Sequence, residues 1–137
     1  MVSKNRRTLS RNMRKISNKK LPQGYYNCFC FAVYTTGLCD RIDWISRQEM
    51  ERYLKKTKKV KEPQPGDIVA MWGDDSCYGE TSSNRKDLIH TAVYVGKDRY
   101  LHKPGDCDLE YASWDRIMDV YNLINGYITN ELTYHRV

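Results

Sequence analysis

The sequence predicts an α+β domain in which a short helix starting at Cys28 packs on an antiparallel sheet built from strands after residue 66. Three observations carry this. The run Asn27 to Thr36 (NCFCFAVYTT) is apolar, opens on a residue type suited to an N-cap and is followed by Gly37, a usual helix stop. Ser46-Arg47-Gln48-Glu49 has the form of a capping box, and Ile45, Met50, Tyr53 and Leu54 supply apolar positions at helical spacing. From Ile68 onward the apolar runs shorten to strand length.

The elements follow in order. Leu21-Pro22-Gln23-Gly24 interrupts any preceding helix, so residues 24–137 form the domain and residues 1–23 an arm. The aromatic and β-branched content of residues 27–36 would also permit a strand, and periodicity alone does not decide between the two. The second helix is expected to end in the basic run Lys55 to Lys61. Pro63-Gln64-Pro65-Gly66-Asp67 is then a turn into Ile68-Val69-Ala70-Met71-Trp72, a short buried strand. Residues 73–87 are polar, hold two glycines and read as a long loop. Leu88 to Val95 and Arg99 to Lys103 are strands joined by Gly96-Lys97-Asp98, a hairpin connection that puts His90 and His102 on neighbouring strands. Ser113-Trp114-Asp115-Arg116 starts a short helix to about Tyr121, and Tyr127 to Arg136 alternates as a closing strand.

Composition bounds the function. A chain of 137 residues, 40% hydrophobic, holds one core. No apolar run reaches the ~18 to 20 residues that span a bilayer, and no hydrophobic stretch follows the N-terminal charges, so neither a membrane span nor a signal peptide is expected. Synthesis in the reducing cytosol and an odd count of five cysteines argue against a disulfide scaffold. Zinc would need ligands from Cys28, Cys30, His90 and His102, but neither C-x2-C nor H-x3-5-H spacing occurs. The net charge of +6 is concentrated: residues 1–20 hold eight basic and no acidic side chains, leaving 15 basic against 17 acidic in the rest. Such a block is expected to be flexible and to favour polyanions such as nucleic acid, anionic lipid or wall polymers, or to serve only as a solubilising tail.

The chemistry centres on Cys28. A helix N-terminus stabilises a thiolate, an imidazole takes and returns the proton, and a third polar group fixes that imidazole. His90 and His102 can fill the last two roles. Cys30 is the rival nucleophile, but it lies roughly 200 degrees around a helix from Cys28, so only one of them can face the histidines. Cys39, Cys77 and Cys107 read as incidental or small buried residues, and His135 as a surface residue. Trp44, Trp72 and Trp114 read as core or cleft wall.

The order of these elements resembles the NlpC/P60 branch of papain-like hydrolases. The resemblance rests on Asn27-Cys28-Phe29-Cys30-Phe31, Gln64-Pro65-Gly66-Asp67-Ile68-Val69, His90-Thr91-Ala92-Val93-Tyr94-Val95-Gly96 and Tyr100-Leu101-His102-Lys103-Pro104-Gly105, and spans roughly residues 24–136. It implies a papain-like fold with Cys28 as nucleophile, His90 as general base and His102 as the orienting residue, acting on a peptide or amide through a thioester, without a cofactor. The Cys28 backbone N–H would be one oxyanion donor, with Gln23, Tyr25 or Tyr26 as candidates for the second. Asn27 stands where the family has an acidic residue, and Phe29-Cys30 where it has Ser-Gly. The Asn-Cys start and His-Lys-Pro-Gly ending also look like other papain-like proteins of bacteria and phages. The expected activity is therefore a cysteine peptidase or amidase, with peptidoglycan stem peptide as substrate by analogy and delivery by phage or release to the wall. The alternatives are an intracellular peptidase, deamidase or acyltransferase acting as a toxin or host-takeover factor, and a catalytically idle domain that binds nucleic acid or a protein through its arm.

Overall fold

The computed structural model describes residues 4–19, 26–74, 85–104, 109–124 and 126–137. Over these residues the chain is α+β, with four helices and one six-stranded antiparallel sheet. The helices are α1 (Lys4–Asn18), α2 (Cys28–Thr35), α3 (Arg47–Lys55) and α4 (Trp114–Met118), the last running into a π-helical turn at Asp119–Ile124. The strands are β1 (Lys58–Val60), β2 (Ile68–Asp74), β3 (Asp87–Gly96), β4 (Arg99–His102), β5 (Glu110–Ser113) and β6 (Ile128–Arg136), in the spatial order β1-β6-β2-β3-β4-β5. No described helix is long and apolar enough to cross a membrane.

The ambiguous segment after Asn27 is a helix because its ends are satisfied. Asn27 Oδ1 accepts the Cys30 amide at 3.0 Å while its Nδ2 donates to the Ile45 carbonyl at 2.7 Å, so one side chain caps α2 and ties it to the chain before α3. At the other end Gly37 takes a left-handed φ of 85° and reverses the chain. Every side chain of α2 is buried, which is why no amphipathic period marks it. α3 carries the expected Ser46 N-cap, with a variant of the box's second bond: Ser46 Oγ accepts the Glu49 amide (3.1 Å), and its hydroxyl, rather than its backbone amide, donates to the Glu49 carboxylate (3.3 Å).

The sheet separates two clusters. Ile68, Ala70, Leu88, Val93 and Leu101 face α2, whereas Val69, Met71, Ala92, Tyr100 and Ala112 face Ile117 and Tyr121 on the other side. The β3–β4 hairpin closes on Lys97 and Asp98, both at positive φ (53° and 55°), the signature of a type I′ turn. β2 continues to Asp74, past the expected start of the loop, because Gly73 lets β6 come close: a Cβ there would lie 1.8 Å from the Ile128 carbonyl oxygen. Residues 75–84 of that loop, with Cys77, lie outside the described residues, as does Cys107. β1 and β5 are edge strands of three and four residues, too short for an alternating pattern to announce them.

The basic N-terminal segment differs from the flexible arm expected of it. Residues 4–18 form α1, and Leu9, Met13 and Ile16 fall on one face at spacings of four and three; Leu9 and Ile16 join the α2 cluster and Met13 packs against it. Burying Leu9 and Ile16 is worth roughly 1.5 to 3 kcal/mol each. Asn12 Nδ2 donates to the carbonyls of Tyr34 (2.9 Å) and Thr35 (3.4 Å), satisfying acceptors that the end of α2 leaves open. Arg7, Arg11, Arg14 and Lys15 remain exposed on the outer face. The expected break at 21–24 lies outside the described residues.

Asp67, from the Gly-Asp turn, is fully buried and receives both Nε (3.0 Å) and Nη2 (2.8 Å) of Arg136, while the Gln64 amide donates to its Oδ2 (2.7 Å). The turn is thereby clasped to β6. Trp44, expected in the core or a cleft wall, is 55% exposed: Asp43 Oδ1 takes its amide (2.7 Å), and the next residue, Ile45, is the one that turns inward.

Candidate active site

The two histidines predicted to work together do meet. His90 Nε2 lies 2.9 Å from His102 Nδ1, His102 Nε2 lies 3.2 Å from Glu110 Oε1, and His90 Nδ1 lies 2.8 Å from the Tyr121 hydroxyl. β3 and β4 present the histidines, β5 brings Glu110 opposite His102, and the π-helical turn stacks the Tyr121 ring on His90 at 4.2 Å between centroids. Arg116 Nε stands 3.5 Å from the same Glu110 oxygen.

The carboxylate fixes the direction of the whole chain. Ionised Glu110 accepts only, so His102 carries its proton on Nε2 and offers Nδ1 as acceptor. His90 then donates from Nε2, and its Nδ1, left as acceptor, takes the proton of the Tyr121 hydroxyl. Both imidazoles are neutral in this arrangement, and both resist protonation. Burial holds His90 well below its ordinary 6.5, with neighbouring His102 adding to the effect, and burial likewise lowers His102, opposed in part by Glu110.

Cys28 is the first residue of α2 and is buried. Burial pushes its thiol up to about 11, opposed in part by the Thr91 and Phe29 backbone, the Thr91 side chain and the Lys103 ammonium. Thr91 Oγ1 also lies 3.1 Å from the Cys28 carbonyl oxygen. Successive strand residues face opposite sides. Thr91 therefore faces α2, while His90, whose register partner is Met71, faces the Tyr121 cluster. The structure thus joins His90 to His102 and places Cys28 on the neighbouring residue of β3, with no hydrogen bond between thiol and imidazole. The reason is local: α2 packs on the face of β3 that Thr91 occupies, and His90, one residue earlier, leaves from the other.

The remaining candidates sort themselves by position. Tyr26 is buried, with the Lys103 ammonium 4.9 Å above its ring, which makes it a wall beside Cys28. The Cys28 amide starts α2 as required of an oxyanion donor, while Gln23 and Tyr25 lie outside the described residues. Cys30, the rival nucleophile, points away from the sheet, its sulfur accepting the Asp43 amide at 3.2 Å. His135, read as a surface residue, is buried: Thr57 Oγ1 (3.0 Å) and Thr133 Oγ1 (2.7 Å) hold its two ring nitrogens. Among the described residues, no group of three or more His, Cys, Asp or Glu is arranged to hold a metal ion.

Glu110 and Tyr121 escape sequence reasoning. Glu110 is placed by a four-residue edge strand and Tyr121 by a π-helical turn, neither of which leaves a periodic signal. The one available hint is that a buried histidine pair needs acceptors at its far ends. No family model and no curated protein matches this chain.

Proposed function

We propose that this chain is a cysteine hydrolase of papain-like type, with Cys28 as nucleophile, His90 as base and His102, backed by Glu110, as the group that orients the base. The observation that carries this reading is the His90–His102 hydrogen bond, closed by Glu110, on the strand whose next residue, Thr91, bonds to Cys28. In the reaction the thiolate attacks an amide carbonyl, the Cys28 amide stabilises the oxyanion, and His90 returns a proton to the departing amine to leave a thioester. Water, deprotonated by His90, then releases the acid and restores the thiol. The arrangement described is a resting one in this reading: the thiol is protonated at neutral pH and Tyr121 occupies the Nδ1 that must receive its proton. Turnover requires Tyr121 to release the ring, and the ring and Sγ to come together from opposite faces of β3. Peptide amides, including wall stem peptides, are the substrate class, and a deamidase or acyltransferase acting inside a host cell would use the same residues.

The test is to trap the acyl-enzyme. Incubation with activated acyl donors such as peptide thioesters, followed by intact-mass and peptide mapping, should place the acyl group on Cys28 and nowhere in Cys28→Ala. Donors that acylate wild type and Cys28→Ala equally would end the hydrolase reading.

One observation favours a second reading, a catalytically idle domain that binds polyanions. α1, which contains no acidic residue, presents Arg7, Arg11, Arg14 and Lys15 to solvent, while among the described residues no imidazole hydrogen-bonds the Cys28 thiol. Binding to single-stranded nucleic acid that weakens steeply with salt and is indifferent to Cys28→Ala would support it, and undetectable binding at low salt would remove it.

A further inference from the structure

A second thiol pair lies on the far side of α2, away from the sheet. Cys30 Sγ and Cys39 Sγ each stand 3.7 Å from the carbonyl oxygen of Arg41, so the two sulfurs cannot be further apart than twice that distance. The backbone explains the convergence. After Gly37 the chain doubles back along the helix, the Cys39 amide bonds to the Val33 carbonyl at 3.0 Å, and Cys30 sits one turn earlier on the same helix. We propose that Cys30 and Cys39 form a reversible disulfide, with Cys39 the thiol that reacts first and Cys30 the thiol that resolves.

The two cysteines have different surroundings. Cys39 is partly exposed, its sulfur accepting the Arg41 amide at 3.5 Å, so it is the member of the pair that a dissolved oxidant reaches first. Cys30 is fully buried, and burial pushes it up to about 11, so it meets an oxidant only through its neighbour. With a low-molecular-weight disulfide such as oxidised glutathione, Cys39 thiolate attacks one sulfur, forms a mixed disulfide and releases one glutathione. Cys30, having given its proton to solvent, attacks Cys39 Sγ and expels the second glutathione. Two protein thiols are oxidised and one glutathione disulfide is reduced. The bond would tie the segment before α3 to the helix that carries Cys28, because the Cys30 amide is held by the Asn27 cap next to that residue.

The experiment uses the full chain in oxidised glutathione, acid quenching, alkylation and digestion with chymotrypsin, whose cuts after Phe29, Phe31 and Tyr34 put Cys28, Cys30 and Cys39 on separate peptides. The expected result is a Cys30–Cys39 linked peptide, two fewer titratable thiols than the five of the reduced chain, and full reversal by dithiothreitol. Cys30→Ser should stop at a glutathione adduct on Cys39, and Cys39→Ser should leave Cys30 reduced; the second variant changes only a partly exposed side chain and guards against a folding failure in the first. A stable glutathione adduct on wild-type Cys39, linkage of either residue to another cysteine, or full alkylation of both after treatment would overturn the proposal.

Discussion

Two buried histidine chains run through this sheet, and they end differently. In one, Tyr121, His90 and His102 lead to a carboxylate, Glu110. In the other, Trp72 Nε1 donates to Thr133 Oγ1 (2.7 Å), Thr133 Oγ1 lies 2.7 Å from His135 Nε2, and His135 Nδ1 faces Thr57 Oγ1, whose hydroxyl donates to the Leu54 carbonyl. Polarity is fixed in both, since Trp72 can only donate and a carbonyl can only accept. An imidazolium formed at His90 would have an anion two hydrogen bonds away, whereas one formed at His135 would have only a neutral carbonyl and the Lys59 charge, which opposes it. Burial and complete hydrogen bonding are common to both chains, and the difference lies in the terminus, a carboxylate in one and a carbonyl in the other.

The largest effect expected from this difference is kinetic. With an acyl donor that Cys28 accepts, His90→Ala should lower turnover by about 10² to 10⁴, the usual cost of a lost general base. Glu110→Gln, which removes the anion and keeps the shape, should cost about ten- to a hundredfold, the range seen for groups that support an essential histidine from behind. His102→Gln should retain more activity than His102→Ala because it keeps a polar partner for His90. Steady-state kinetics on folded variants checks all four, and a His90→Ala enzyme as fast as wild type would erase the distinction between the two chains.

The next effect is thermodynamic and falls on the other chain. His135→Ala leaves the buried Thr133 hydroxyl proton without its acceptor and should lose about 1 to 3 kcal/mol of stability with turnover unchanged. Denaturant melts beside the kinetic assay make the comparison, and a catalytic loss without a stability loss would reverse the two assignments.

A pH series sharpens it further. The histidines of both chains are held below 6.5 by burial, so the unfolded chain binds protons that the folded one refuses. Their contribution is complete above 6.5 and is lost as pH falls through their depressed native values. Cys28 works from the alkaline side: with its thiol raised from 9.0 to about 11, its contribution is complete below 9.0 and is lost as pH rises through about 11. Chemical denaturation across this range should show a plateau between those limits. His135→Gln should soften the acid limb and leave the alkaline limb alone, which denaturation midpoints report directly.

The smallest effect is the most diagnostic. Tyr121→Phe keeps the ring stacked on His90 and removes one hydroxyl, so it should cost about 1 kcal/mol of stability. If Tyr121 restrains His90, Cys28 should alkylate faster in this variant than in wild type. An unchanged rate by pulsed iodoacetamide labelling would mean that Tyr121 is a structural member of its chain, like Thr133 in the other.

What was legible in the sequence followed from local chemistry. The Ser46–Glu49 box, the Asn27 cap, the turn into Ile68 and the β3–β4 hairpin depend on neighbours in sequence, and the hairpin is what brought His90 and His102 together. What was missed depends on distant partners. The apolar stripe Leu9–Met13–Ile16 is readable at helical spacing, but the dense charge around it resembles a solvated tail until α2 supplies a surface to bury it. Whether Cys28 faces His90 turns on which side of β3 the His90 side chain leaves and on which side α2 packs, and the second of these is a tertiary choice that neither motif records.

The position of β6 sets the order in which the molecule can be made. It follows every other strand in the chain, yet it lies between β1 and β2, pairing Ile68 with His135 across more than sixty residues. While β2 to β5 can pair as neighbours during synthesis, the far side of β2 stays an open edge until Ile128–Arg136 arrives. That edge carries Ile68, Val69 and Met71, the kind of exposed apolar strand that recruits other chains. The Arg136 clasp on buried Asp67 is then among the last contacts to form, and it ends the interval in which that edge stands open.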